Sequence, residues 1–402
     1  MSYLKCLISS SLLLSMQSLQ AAALEQSGQN IGFFFEPQNY AEISHAIVIA
    51  DVQGYIQKNQ FMQQFAMEDF STGDLIENQH MTSAALKLQL DPKISLGLSY
   101  DQPFAVDTSY EYQSNIQTPY AYHESADIKF KSQNITALLG YQPNQNWNIY
   151  AGLAHQQFSG HLALQGENYS ILNGYHAKFE SDAAWGWLTG INYQIPEYAM
   201  RASITYRSAI QHKNKTIESF NTGLVKQPFS QIQTPQSVNI DLQTGITSKN
   251  VIYGSLRWIN WQNFRIQPPE FNSLIQLIAL IPEYSDISGT QMIEYDKDQW
   301  SGKLGLAHQW QDNWLNALEV IWDSGVDNPA STLNPSDGYW GIGLANLYKV
   351  NQKIDITGAV YYLDFNKPKP NSNDSSFQNF SSLSSVENNT AWLLALRLGY
   401  HF

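Results

Sequence analysis

Residues 391–402 read Ala-Trp-Leu-Leu-Ala-Leu-Arg-Leu-Gly-Tyr-His-Phe. Trp392, Leu394, Leu396, Leu398, Tyr400 and Phe402 alternate with Ala395, Arg397, Gly399 and His401. A period of two is that of a strand with one apolar and one wet face. The apolar face opens and closes on an aromatic ring. Trp392 and Tyr400 are 8 residues apart, which at about 3.3 Å per residue and a tilt near 40° spans roughly 20 to 25 Å. That is the height of the apolar band of a transmembrane β-barrel, bounded by aromatic girdles.

The same reading extends backwards along the chain. Trp300, Leu304, Leu306 and Trp310 oppose Ser301, Lys303 and Gln309. Trp314, Leu318, Val320 and Trp322 oppose Ala317 and Glu319, and Trp340, Ile342, Leu344 and Tyr348 oppose glycines and Ala345. Tyr198, Met200, Ala202, Ile204 and Tyr206 oppose Arg201, Ser203, Thr205 and Arg207. A soluble β-sandwich shares the alternation but has no reason to end one face of strand after strand in aromatics.

Composition agrees. The 402 residues hold 35 acidic and 22 basic side chains, a formal charge of -13, and only 14% are charged, against about 25% in soluble domains. Aromatics reach 13%. Mean hydropathy is -0.33, and no run approaches the roughly 20 apolar residues of a spanning helix. The acidic balance, without a basic block, excludes nucleic-acid binding.

Tight polar turns occur at Asp91-Pro92, Pro143 to Asn146, Pro196-Glu197, Thr247 to Asn250, Gln311 to Asn313 and Val350 to Gln352. Longer polar connections fall near 55–79, 102–122, 164–181, 212–234, 264–298, 325–337 and 366–387. Short turns at one end and long loops at the other mark the periplasmic and extracellular sides of an outer-membrane barrel. Thirteen connections join fourteen strands. The expected fold is therefore all-β, a 14-stranded antiparallel transmembrane barrel over residues 40–402. The stretch 123–142 changes phase near Asn134, a break that would alter the strand count by one hairpin.

Lys5, the apolar stretch 7–14 and Ala21 to Ala23 have the layout of a secretory signal over residues 1–23. Its removal takes away Cys6, the single cysteine, and with it any disulfide or thiolate chemistry. The expected location is the bacterial outer membrane.

The segment 234–266, TPQSVNIDLQTGITSKNVIYGSLRWINWQNFRI, resembles the FadL/TodX family of outer-membrane transporters of long-chain fatty acids and other hydrophobic compounds. Trp258, Trp261 and Phe264 stand where that family has a Trp-rich strand end. The segments DNWLNALEVIWDSGV, GYWGIGLANLYKVNQKIDITGAVYYL and AWLLALRLGYHF follow in the family's order, and LEQSGQNIGFFFEPQNYAEISHAIVIADVQGY is similar to one branch of it. The resemblance implies fourteen strands and an N-terminal segment, 24–39, that plugs the barrel. Better-known members have a longer N-terminal hatch with an Asn-Pro-Ala motif, absent here, and a longer third extracellular loop.

Three features are candidate ligand sites. Ile31, Phe33, Phe34 and Phe35 form an apolar cluster that either folds up into the barrel or continues strand 1. Phe271, Leu274, Ile275, Ile278 and Ile281 have helical spacing between Pro268-Pro269 and Pro282, giving a lid or a ligand-capturing helix. On the wet face, strand parity turns Lys87, Lys129, Arg201, Arg207, Arg257, Lys303 and Arg397 into the lumen, with Asp127, Asp241, Glu319 and Asp355. That set either recognises a carboxylate, with Arg201 and Arg257 as best placed, or braces the wall through pairs such as Lys303–Glu319.

No metal spacing, Gly-x-Ser-x-Gly, P-loop or dinucleotide fingerprint occurs. No catalysis and no cofactor are expected. The reading is a passive channel for hydrophobic molecules, most simply long-chain fatty acids or related lipids. Alternatives are an aromatic-hydrocarbon channel, a structural or adhesive barrel, and a barrel lipase. Expected partners are the hydrophobic ligand, outer-membrane lipid and lipopolysaccharide, with no nucleic acid and a monomer as the default state.

Overall fold

The computed structural model describes residues 24–56, 70–113, 123–166, 172–282, 285, 288–289, 291–295, 297–327, 336–366 and 383–402. The expected signal peptide lies outside the described residues.

Fourteen antiparallel wall strands close a barrel. They are β1 (Tyr40–Ile56), β2 (Gln79–Gln89), β3 (Ile94–Asp101 and Ala105–Gln113), β4 (His123–Tyr141), β5 (Trp147–Gln165) and β6 (Tyr175–Ile195). Then follow β7 (Met200–Arg207 and Ile210–Ser219), β8 (Phe229–Thr234 and Ser237–Gly245), β9 (Asn250–Ile259) and β10 (Gln299–Gln311). The last are β11 (Trp314–Asp323), β12 (Tyr339–Lys349), β13 (Ile354–Phe365) and β14 (Leu383–His401). β14 pairs with β1 from Tyr40↔His401 to Ile56↔Leu383, which removes both sheet edges. Three strands are interrupted. β3 breaks at Gln102 to Phe104, β7 at Ser208-Ala209 and β8 at Pro235-Gln236, and two of these breaks contain a proline. Proline cannot donate to a ladder.

The outer face carries the belt. Trp185, Trp187, Trp300, Trp310, Trp340 and Trp392 are exposed, with leucines and isoleucines between the girdles. Of the eleven tryptophans only Trp261 is among the fully buried side chains.

The phase change expected near Asn134 does not occur. Burial alternates without interruption over residues 125–141 of β4. What inverts is the chemistry of the two faces. In the lower half Ile135, Ala137, Leu139 and Tyr141 point out, and Asn134 and Thr136 point in. In the upper half Asp127, Lys129 and Lys131 point out, and Ala126, Ile128 and Phe130 pack inside. The wall rises above the hydrocarbon, so its outside is wetted and its inside becomes an apolar core. Lys129 and Asp127 are therefore not lumen residues, contrary to the parity reading. Lys129 pairs with Asp107 on the outer surface, and Asp127 lies 3.3 Å from His161.

Above the barrel, the connection between β9 and β10 forms a helix, α1 (Pro269–Ile278), and a short ribbon, Arg265–Ile266 with Ile293–Glu294. Among the described residues no helix is long and apolar enough to cross a membrane.

Candidate functional site

The lumen is built in two layers. The extracellular half is apolar. Phe130, Phe158, Leu162, Leu164, Phe179 and Ile232 are buried there. Trp261 belongs to the same cluster, with ring centroids 5.7 Å from Phe104, 5.1 Å from Phe264 and 5.1 Å from Tyr295. Its indole N–H donates to Gln299 Oε1 at 2.5 Å. Helix α1 lies over this layer and buries Phe271, Ile275 and Ile278, with Leu274 packed against them. The opposite face, including Leu277, is exposed. Glu218, fully buried at the top of β7, accepts from the backbone N–H of Glu270 (3.0 Å), the N–H of Phe271 (2.9 Å) and the hydroxyl of Tyr175 (2.8 Å).

The periplasmic half is polar and holds buried cations together with buried carboxylates, and the N-terminal segment runs through it. Leu24 to Gln26 meet the break in β3. Glu25 bridges Phe104, Gln26 N–H donates to Pro103 O, and Ala105 N–H donates to Leu24 O. The break frees backbone groups, and the segment satisfies them. Further on, Gly32–Phe35 forms a 3-10 turn rather than a continuation of β1. Ile31, Phe33 and Phe34 are buried with Leu138, Tyr150, Leu188 and Tyr40, and Phe35 packs against the same group. The Phe34 ring rests on Gly97 and Gly140 of the inner wall, where an added Cβ would come within 2.7 and 2.8 Å of it. Those strand glycines make room for a ring from inside.

Most lumen cations are engaged. The Arg257 guanidinium donates to Glu25 Oε1 through Nε (2.9 Å) and Nη2 (2.5 Å), and to Gln29 Oε1 (3.1 Å) and Asn239 Oδ1. Arg207 donates to Gln29 O at 2.8 Å, and Lys87 to Glu36 O. These three hold the N-terminal segment. Lys303 lies 3.9 Å from Glu319, and Arg397 lies 3.2 Å from Asp355 and 3.6 Å from Glu42, so these two brace the wall. Arg201 donates to neutral Gln243 (3.1 Å) and lies over the Phe35 ring at 5.5 Å. Of the two arginines singled out from sequence, Arg257 is thus occupied by an internal carboxylate.

Glu319 also accepts from the hydroxyls of Tyr253 and Tyr361. Glu319→Ala takes a carboxylate acceptor from two phenols and a counter-charge from a buried ammonium, and losing one partner of a buried ion pair costs about 3–5 kcal/mol. The folded band in semi-native electrophoresis is expected to convert at a clearly lower temperature. An unchanged conversion temperature would show that the network does not brace the wall.

Residues that the sequence did not point to are Glu25, Gln29 and Glu218. Each is a single polar residue in an unpatterned or loop-proximal stretch, and its role comes from partners far away in the chain. Trp261 and Phe264 were visible as part of the Trp-rich strand end, though not as a lumen cluster.

The sequence profile described as outer membrane protein transport protein (OMPP1/FadL/TodX) matches residues 34–402. A search of curated proteins gave no match. Among solved structures, a Pseudomonas aeruginosa FadL homologue is similar with a TM-score of 0.65, at 13% identity over 92% of each chain. The P. putida toluene transporter TodX gives a TM-score of 0.58 at 11% identity, covering 91% of this chain and 90% of that one. The Ralstonia pickettii toluene transporter TbuX gives 0.56 at 10% identity over 95% of each chain. The wall, the inward N-terminal segment and the matched profile agree, and this chain belongs to the OMPP1/FadL/TodX family of outer-membrane transport proteins.

Proposed function

We propose that this hydrophobic-compound channel carries long-chain fatty acids or closely related amphiphilic lipids. The observation that supports this is the vertical order of the lumen, an apolar layer beneath α1 followed by a polar layer of buried cations and carboxylates in which Arg201 donates to a neutral amide. An acyl chain suits the first, at about 0.8 kcal/mol per buried methylene. Its carboxylate suits the Arg201 guanidinium of the second. A neutral hydrocarbon gains nothing from the cations. In this reading residues 1–23 are a cleaved export signal, residues 24–39 are the plug, and α1 with Phe271, Leu274, Ile275 and Ile278 is the lid that a ligand displaces on entry. Lipopolysaccharide surrounds the outer rim.

A second reading, uptake of monoaromatic hydrocarbons, is favoured by the cluster of Trp261, Phe104, Phe264 and Tyr295, which offers ring faces and edges to an aromatic guest. The two are separated by expressing the gene in a host stripped of its own channels of this kind. Growth on oleate as sole carbon source is the expected result. Uptake of toluene without oleate would decide for the aromatic reading, and uptake of neither would remove both.

A further inference from the structure

A cavity of about 250 Å³ opens at the periplasmic end, below the N-terminal segment. It is floored by the short turns after β2, β4 and β6, and it is separate from the apolar layer under α1. Its inner wall is a continuous patch of four strands. Register puts Asn148 of β5 opposite Asn192 of β6, Gln194 opposite Arg201 of β7, and Arg201 opposite Gln243 of β8. Arg201, Asn148 and Asn192 are only 5%, 3% and 2% exposed. Arg201 Nε, Asn148 Oδ1 and Asn192 Oδ1 have no hydrogen-bond partner among the described residues. Burying polar groups without partners is unfavourable. The side chains that carry them line one cavity and mark a place shaped for a polar guest.

We propose that this vestibule is a carboxylate-binding site, taking small organic monocarboxylates with an apolar tail. Arg201 supplies a planar fork that pairs a carboxylate through two hydrogen bonds. The ring of Phe35 beneath it keeps the guanidinium in place. The amides of Asn148 and Asn192 can each turn an N–H toward the second carboxylate edge. Lys87, already donating to Glu36 O, adds positive potential. Glu36 is an acid that lines the cavity; burial disfavours its charged form, more than His401, Arg397 and Arg201 favour it. Phe35, Met200 and Pro37 provide the apolar side against which a short tail lies. The volume lies just under the roughly 300–1,000 Å³ of small-molecule sites, so a long chain must extend out of the mouth.

The proposal rests on the transport reading only for where its ligand comes from. The test therefore measures binding to purified protein, independently of uptake. Pro92→Cys, made with Cys6→Ser and placed in lipid nanodiscs, is labelled at the rim with an environment-sensitive dye and titrated with hexanoate, hexan-1-ol and acetate. Hexanoate is expected to give a saturable change at a concentration about tenfold or more below hexan-1-ol, since a hydrogen bond to a charged group contributes about one decade or more in affinity. Arg201→Gln should abolish that preference and Asn192→Leu weaken it, while Arg201→Lys restores part of it. Acetate binding weaker than hexanoate identifies an amphiphile's head group as the natural guest, whereas equal binding identifies a free periplasmic acid. Equal affinity for acid and alcohol in the unmutated protein, or a preference that survives both Arg201→Gln and Asn192→Leu, overturns the site. Acid-selective binding in a protein that supports no uptake would sink the transport reading and leave the site standing.

Discussion

Deleting Gly28 to Phe35 is expected to convert a closed barrel into a conducting one. A wall of fourteen strands encloses a lumen approaching that of the larger porins, wide enough for water unless something fills it. In this protein the filling of the lower half is the N-terminal segment. Its hold is distributed: Arg207 on Gln29 O, Asn239 on Gly28 O at 2.9 Å, Lys87 on Glu36 O, and the Arg257–Glu25 pair. Ile31, Phe33 and Phe34 add buried apolar area at about 1.5–3 kcal/mol each. The deletion removes the apolar anchors and two of the polar ones together. The wall ladders do not depend on them, so heat-modifiable mobility should persist. In planar bilayers the parent protein should conduct little, and the deletion should give large, steady steps. Arg257→Leu tests the same hold more gently. It leaves Glu25 buried and unpaired at a cost of about 3–5 kcal/mol, enough to raise the open population by roughly a hundredfold or more. A deletion that folds and stays closed would falsify the plug.

The wall was legible because a transmembrane strand declares itself locally. Trp392 to Tyr400 needs no distant partner to be recognised, only alternation and two rings at a fixed spacing. The same logic failed on the upper half of β4. Parity was anchored to the assumption that apolar means outward, and above the belt that assumption reverses. Lys129 and Asp127 were misplaced for this reason. The breaks in β3, β7 and β8 were hidden because a wall strand that kinks keeps its alternation on both sides. The burial of Phe33 and Phe34 could be inferred from the cost of leaving three consecutive phenylalanines in water. Their seat on Gly97 and Gly140 could not, since it is set by barrel shear. Charge pairing was legible where partners are on adjacent strands, as with Lys303 and Glu319. It was opaque for Arg257 and Glu25, which are 232 positions apart.

Glu218→Leu is expected to free the lid while leaving the barrel intact. Pro269 occupies the first helical position of α1, and the next two residues, Glu270 and Phe271, carry N–H groups that a helix leaves without internal partners. Both donate to the Glu218 carboxylate, and Tyr175 donates to the same group from the start of β6. A negative group at this end also faces the positive pole of the helix. One side chain thus ties β6, β7 and α1 together, and the Phe271 ring, 6.0 Å from that of Tyr175, closes the contact. Leucine satisfies none of the three donors. Each buried donor left unpaired costs about 1–3 kcal/mol, so several kcal/mol of lid attachment are lost, set against the apolar contacts of Ile275 and Ile278 that remain. Glu218→Gln keeps one carbonyl acceptor, drops the charge and should lie between. Amide hydrogen exchange over 269–279 should accelerate by orders of magnitude in the leucine variant, with the wall amides unchanged. If α1 gates entry, the concentration giving half-maximal uptake should move with the exchange rate across parent, glutamine and leucine. A helix that loses protection without any change in uptake would separate lid from gate, leaving Glu218 as an anchor of the loop alone.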